Sequence, residues 1–225
     1  MTQEIDVQKD AASVTIRRAT RETRIWAELA LMPGAIDIRT GIGFLDHLIT
    51  TLAYHAGWTL TLVCDGDLEV DDHHSAEDCA IVLGIALAEL RTRQGAIQRF
   101  GSAYAPLDEA LARAVVDFSG RPSAMVEARF DTPMAGKLCT QNITHFFRSL
   151  AMSAGMTLHL DCLRGENDHH KAEAMAKSLA LALRQALVPA AVPAGSEMST
   201  KGSISLTVSS PWSDSSKEGN DASNT

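Results

Sequence analysis

Asp72-His73-His74-Ser75-Ala76-Glu77 decides how the rest of the chain reads. The stretch recurs as Asp168-His169-His170-Lys171-Ala172-Glu173. Each copy opens a long apolar run of helical period. Each also follows another histidine at a similar distance, His47 and His145. On a helix, His73 and Glu77 stand four apart and His74 and Glu77 three apart, and both spacings bring side chains together. Adjacent histidines point about 100° apart, so they do not easily face one ion. Ligating residue types kept in both copies of a duplicated segment are a metal-site pattern.

The candidate ligands are His47, His73, His74, His145, His169, His170, Glu77 and Glu173. Divided evenly they give two sites, each with three histidines and one carboxylate. Each histidine pair is then expected to serve two ions, at sites that join the two halves or neighbouring subunits. No cysteine lies among them, which argues against a structural thiolate zinc site. Imidazole with carboxylate suits manganese, iron, cobalt or zinc. Four protein ligands on an octahedral ion leave two positions open for a substrate. His55 and His159 have no partner at the right spacing and read as structural.

The flanking sequence repeats as well. His47 precedes Gly57, and His145 precedes Gly155, by the same interval, and Trp58-Thr-Leu-Thr-Leu matches Met156-Thr-Leu-His-Leu. The duplication sets residues 14–93 against 105–188, within half-repeats of 13–94 and 95–202. Val14 to Ala19, Ile25 to Leu31, Ile36 to Arg39 and Trp58 to Cys64 alternate or are β-branched, which predicts strands. Phe44 to Ala56 and His73 to Leu90 have helical spacing, with Asp72 expected to cap the second.

In the second half, Gln94 to Pro106 reads as a connection, and Leu107 to Phe118 reads as strand or helix, with one strand favoured by the turn and second strand that follow. A strand at Ala124 to Phe130, a linker at Asp131 to Lys137 and a helix from Gln141 to Ala154 follow. Met156 to Cys162 is another strand. Asp168 is expected to cap a helix from His169 to Leu187, ended by Pro189 and Pro193. Neither half can bury its apolar faces alone, so the expected fold is one α+β domain of two packed sheet-and-helix halves. Residues 1–12 are polar and expected to fray. The Ser-, Asp- and Asn-rich stretch 203–225 is expected to be disordered.

Composition narrows the function. Of 225 residues, 45% are hydrophobic, enough for a real core, and the net charge of −8 argues against a nucleic-acid partner. The four cysteines form no Cys-x-x-Cys and read as reduced thiols of a cytoplasmic protein. The first ten residues lack a signal-peptide core, and the longest apolar run, Cys79 to Leu90, is too short to span a bilayer. Basic residues sit in motif-like places: Arg99, Arg121, Lys177 and Lys201. Arginine forks, and a lysine beside a hydroxyl such as that of Ser199, suit a phosphate group.

The chain resembles the imidazoleglycerol-phosphate dehydratase family of histidine biosynthesis. The resemblance runs from Val14 to Gly202. It rests on Arg21-Glu22-Thr23, Thr40-Gly-Ile-Gly-Phe-Leu-Asp-His47, the two histidine-pair motifs, Arg99-Phe-Gly101, Pro106-Leu-Asp-Glu109, Ser119-Gly-Arg-Pro122, His145-Phe-Phe147 and Ser199-Thr-Lys-Gly202. It implies the duplicated α+β fold of the second domain of ribosomal protein S5. It also implies two Mn2+ ions per active site and a homo-oligomer of 24 subunits with active sites at subunit interfaces.

The implied reaction removes water from D-erythro-imidazole-glycerol phosphate to give imidazole-acetol phosphate. Metal on the ring nitrogens favours an imidazolate, which expels the hydroxyl to give a diazafulvene-like intermediate. Loss of the next proton gives an enol, which tautomerises to the ketone. Arg99, Arg121, Lys177, Ser199 and Lys201 match the family's phosphate-binding residues. A carboxylate must move protons; Glu22, which also lies in the substrate-binding set, is the candidate. With His47, His74, Glu77, His170 and Glu173 it makes up the expected catalytic set.

Three features depart from the family. About twenty residues follow Ser-Thr-Lys-Gly where the family chain commonly stops. Ala-Met-Ala precedes Lys177 where the family usually has an aromatic. The phosphatase segment of the bifunctional form is missing. Rival readings of the same ligand set are a dinuclear phosphate-ester hydrolase and a metal-assembled storage oligomer.

Overall fold

The structure, a computed structural model, describes residues 4–9 and 13–190. The first half contains β1 (Glu4–Lys9), β2 (Val14–Ala19), β3 (Thr23–Ala30), β4 (Ile36–Arg39), α1 (Gly43–Ala56), β5 (Thr59–Gly66) and α2 (His73–Arg93). The second contains β6 (Phe100–Leu107), β7 (Ala110–Asp117), β8 (Ser123–Glu127), β9 (Met134–Ala135), β10 (Leu138–Cys139), α3 (Thr140–Ser153), β11 (Thr157–Arg164) and α4 (Asp168–Ala186).

Apart from the added edge strand β1, the two large sheets share one topology. Strand order is β1-β2-β3-β5-β4 in the first and β6-β7-β11-β8 in the second. In each, one parallel pair, β4 with β5 or β8 with β11, adjoins antiparallel pairs. The parallel pairs need a crossover, and α1 and α3 supply it. Each sheet lays its helices on one face. Across the middle α1 packs on α4, and α2 packs on α3. The four helices therefore lie between the sheets. Their fully buried Leu45, Leu48, Leu52, Leu83, Phe146 and Phe147 form the core. Each such side chain contributes about 1.5–3 kcal/mol by leaving water. Gly84 lets α2 and α3 touch, since a Cβ there would lie 2.7 Å from Leu150 O.

Four expectations are corrected. Residues 4–9 pair with β2 along its whole length instead of fraying. The stretch read as a connection from Gln94 to Pro106 contains β6. Its Gly101 lies so close to α4 that a Cβ would meet Ala182 O at 2.0 Å, so this strand is chosen by close packing and not by alternation. The stretch read as one strand from Leu107 to Phe118 is a hairpin turn plus β7, with Asp108 at φ 47° in the turn. The capping side chains come from one residue earlier than expected, although Asp72 keeps the N-cap position of α2. Asp71 Oδ1 accepts His73 N at 2.8 Å, and Asn167 Oδ1 accepts His169 N at 2.9 Å. Asp72 and Asp168 are thereby released for other partners. Ser199, Lys201, Pro193 and the tail from residue 203 lie outside the described residues.

A buried charge pair locks α2 to its sheet. Asp78 on α2 and Arg18 on β2 are 6% and 7% exposed and form an ion pair, and Thr23 Oγ1 donates to the same carboxylate oxygen. Breaking a buried pair from one side costs about 3–5 kcal/mol, because the surviving charge stays desolvated. Asp78→Ala is expected to lower the thermal midpoint by roughly 6–20 °C, read by differential scanning calorimetry. A shift below about 2 °C would show that the pair carries no such weight.

Candidate metal centre

Six of the eight expected ligands gather into two clusters, each built across the halves. His47 on α1 meets His169 and Glu173 on α4. His145 on α3 meets His73 and Glu77 on α2. Within each cluster the ligand atoms all lie within 4.8 Å of one another. Glu173 Oε2 is 3.0 Å from His47 Nε2 and 3.2 Å from His169 Nε2. Glu77 lies 3.0 Å from His145 Nε2 and 3.6 Å from His73 Nε2. Two ligands at right angles, each about 2.1 Å from one ion, stand about 3 Å apart. His145 Nε2 is buried and makes no hydrogen bond. A buried imidazole nitrogen whose near neighbour is a carboxylate is a place that a cation fits.

His74 and His170, the second members of each pair, lie outside both clusters and face other carboxylates. His74 Nδ1 is 3.0 Å from Asp67 Oδ2, and His170 Nδ1 is 2.8 Å from Glu109 Oε2. His73 Nδ1 likewise meets Asn142 Oδ1 at 3.0 Å. An Nδ1–H held by an acceptor fixes the ring and leaves the Nε2 lone pair for a ligand. The Asp67 and Glu109 contacts hold the pKa values of His74 and His170 above the ordinary histidine range. Backbone N–H donation from Asn167, with His170 next, holds Glu109 down to about 2. Glu173 is also held at about 2: burial raises it, but Lys177 and His47 outweigh burial. Asp67, Glu109 and Asn142 were not among the expected site residues.

Glu22 is presented by a tight turn in which Thr20 Oγ1 accepts Glu22 N and Thr23 N at 3.1 and 3.0 Å. Its carboxylate lies 3.8 Å from His74 Nε2. Glu109 occupies the corresponding hairpin turn of the second half, before β7, where it faces His170. His55 and His159 belong to neither cluster.

The expected phosphate residues scatter. Lys177 Nζ is 2.8 Å from Glu173 Oε1, beside the first cluster. Arg99 is at the far end of α4: its N–H donates to Ala186 O at 2.9 Å. His169 to Ala186 at about 1.5 Å per residue is about 25 Å. The Arg99 guanidinium makes a two-pronged bond to Asp117, at 2.6 and 3.1 Å, which raises its pKa. Arg121 is exposed in the turn before β8, where Thr157 Oγ1 donates to Arg121 O. That is the end of β11 remote from the first turn of α4, about 23 Å along the strand at ~3.3 Å per residue. One chain thus places Arg99 and Arg121 far from the first turn of α4.

Fold and clusters together define a duplicated α+β scaffold that presents two imidazole–carboxylate ligand sets, one at each contact between its halves. The imidazoleglycerol-phosphate dehydratase family profile matches residues 40–183. The imidazoleglycerol-phosphate dehydratase of Candida glabrata is 49% identical over 184 residues, covering 80% of this chain and 86% of the relative. That of Saccharomyces cerevisiae is 50% identical over 159 residues, covering 71% and 72%. The crystal structure of the Staphylococcus aureus N315 dehydratase aligns with a TM-score of 0.73 at 35% identity, over 79% of this chain and 99% of that one. A Pyrococcus furiosus structure in complex with (S)-C348 aligns with a TM-score of 0.68 at 33% identity, over 84% and 99%. The chain belongs to the imidazoleglycerol-phosphate dehydratase family, a family of carbon–oxygen lyases. Among the described residues no helix is long and apolar enough to cross a membrane.

Proposed function

We infer that the protein is a cytoplasmic, manganese-dependent enzyme that removes water from D-erythro-imidazole-glycerol phosphate in histidine biosynthesis. The observation that carries this reading is the pair of matched clusters, each with two imidazoles and a carboxylate drawn from both halves. His47, His169 and Glu173 would hold one ion, and His73, Glu77 and His145 the other. Manganese bound there supplies a Lewis acid for the substrate's imidazole and hydroxyl.

His74 and His170 complete the ligand sets from neighbouring subunits. Each has its Nδ1 fixed on a carboxylate and its Nε2 outside its own chain's clusters. Arg99 and Arg121 reach the substrate phosphate in the same way, across an interface, because their own chain's α4 begins more than about 20 Å off. Lys177 serves from beside Glu173, and Ser199 and Lys201 complete the phosphate set. A closed assembly of 24 subunits made through such contacts places every active site between chains. The division into half-repeats 13–94 and 95–202 is part of the same reading.

Glu22 moves the proton. Its carboxylate is half-exposed and adjoins His74 Nε2, so it borders the place where the substrate's ring binds. The elimination breaks one C–H and one C–O bond. Glu22 takes the proton from carbon and passes it to the departing hydroxyl, so that the hydroxyl leaves as water, the C=C bond of the enol forms and Glu22 returns to a carboxylate. Glu22→Gln is expected to keep substrate affinity within about threefold and to lower turnover about 10²–10⁴-fold. Calorimetric binding and steady-state kinetics on one preparation read both, and near-normal turnover would remove Glu22 from the mechanism.

A further inference from the structure

Segment 131–140 joins β8 to α3 and carries the β9–β10 hairpin, which has no counterpart in the first half. There β4 ends at Arg39 and α1 begins at Gly43. The segment touches both helices that open on a histidine pair, α2 and α4. At one end, Asp131 N, Thr132 N and Thr132 Oγ1 donate to the Asp168 carboxylate at 3.0, 2.7 and 2.7 Å. At the other end, Cys139 N donates to Asp72 Oδ2 at 2.6 Å. Asp72 and Asp168 are the residues directly before His73 and His169, and neither side chain makes a capping bond to its own helix.

The contacts in between are closed. Lys171, 4% exposed, spends its three Nζ protons on Arg129 O, Asp131 Oδ2 and Asp168 Oδ1 at 3.1, 2.6 and 2.9 Å. Thr140 Oγ1 donates to Thr132 O at 2.8 Å and ties the ends of the segment together. Gly136 abuts Phe44, whose ring stands edge-on to His169 at 4.9 Å. A cavity of about 310 Å³ opens between the segment and the first turn of α4, with His169 on its wall.

We propose that segment 131–140 is a strut between the two ligand clusters, with Asp72 and Asp168 as the positioning residues that anchor its ends. Charge-assisted bonds of this kind are the strong ones and fix orientation as well as distance. Ligand sets work only when held to about half an ångström. A strut anchored on both first turns makes the geometry of one cluster depend on the anchor beside the other.

Two variants cut the α2 end without touching a ligand. Asp72→Ala removes the acceptor. Cys139→Pro removes the donor, and the φ of −66° at Cys139 suits proline. In metal-free protein, both are expected to speed amide exchange at residues 168–173, on the other helix, by about threefold or more. Unchanged exchange there overturns the proposal. In a Glu77→Gln background only the His47–His169–Glu173 cluster is intact. Either variant is then expected to weaken manganese binding about tenfold, read by electron paramagnetic resonance of the free ion. A change under about twofold in both variants also overturns it.

The manganese readout rests on the reading of the clusters given above; the exchange readout does not. Faster exchange at residues 168–173, alongside a wild-type chain that binds no manganese, supports the strut and contradicts that reading. If either variant fails to fold, Asp72→Asn carries both measurements, because it keeps the side chain's size and weakens only the charge-assisted bond.

Discussion

Chains carrying Glu173→Gln and chains carrying Arg121→Ala, refolded together in equal amounts, should recover about a quarter of wild-type turnover, although each alone is nearly inactive. The first change removes the carboxylate that His47 and His169 share. Alone it is expected to lower turnover by about 10³-fold or more, because the cluster keeps two imidazoles and no compensating charge. The second removes an exposed guanidinium at the turn before β8, with an expected loss of about 10²-fold from one charged phosphate contact. If an active site took Glu173 and Arg121 from the same chain, every site in the mixture would carry one defect. If it takes them from different chains, half the sites have an intact Glu173, and half of those an intact Arg121. Recovery near 25% follows from independent mixing and marks sites shared between subunits. Recovery at the mean of the two single variants would place Glu173 and Arg121 of one site in one chain, against the separation of about 23 Å between Arg121 and the start of α4.

The second large effect is on metal content. Glu77→Gln and Glu173→Gln are each expected to halve the bound manganese, from about two ions per chain to about one, with turnover falling about 10³-fold or more. The two clusters have separate ligands, which is why each variant should spare the other ion. The remaining ion should bind within about tenfold of its wild-type affinity. Metal analysis of gel-filtered protein reads the stoichiometry. Loss of both ions from either variant would show a single shared site, and retention of both would exclude the two glutamates as ligands.

The duplication was legible because histidine and glutamate at fixed spacing are rare in an apolar helix, and because the strand and helix order around them repeats. The helices were legible for the same reason: Leu45, Leu48 and Leu52 recur at helical period and are buried. β6 was not, since Gly101, Pro106 and scattered alanines give no alternation. Its place is set by the close approach of Gly101 to Ala182. β1 was missed because a polar edge strand reads like a polar tail.

At the site, spacing showed which residue types would ligate but not which would meet. His47 and Glu173 are far apart in sequence and join only through the packing of α1 on α4. Asp67 and Glu109 carry no pattern of their own. Their roles come from hydrogen bonds to His74 and His170 that the fold creates. The roles first given to Asp72 and Asp168 failed for a related reason. Asp71 and Asn167 make equally good caps, and only the tertiary structure shows the two aspartates turned toward residues 131–140.

The most direct test of the account is the absorbance of the keto product when imidazole-glycerol phosphate is added to metal-stripped protein, with and without manganese. The account predicts product with manganese and none without it. Product formed at the same rate in both conditions, or none in either from protein that binds two ions per chain, would contradict it.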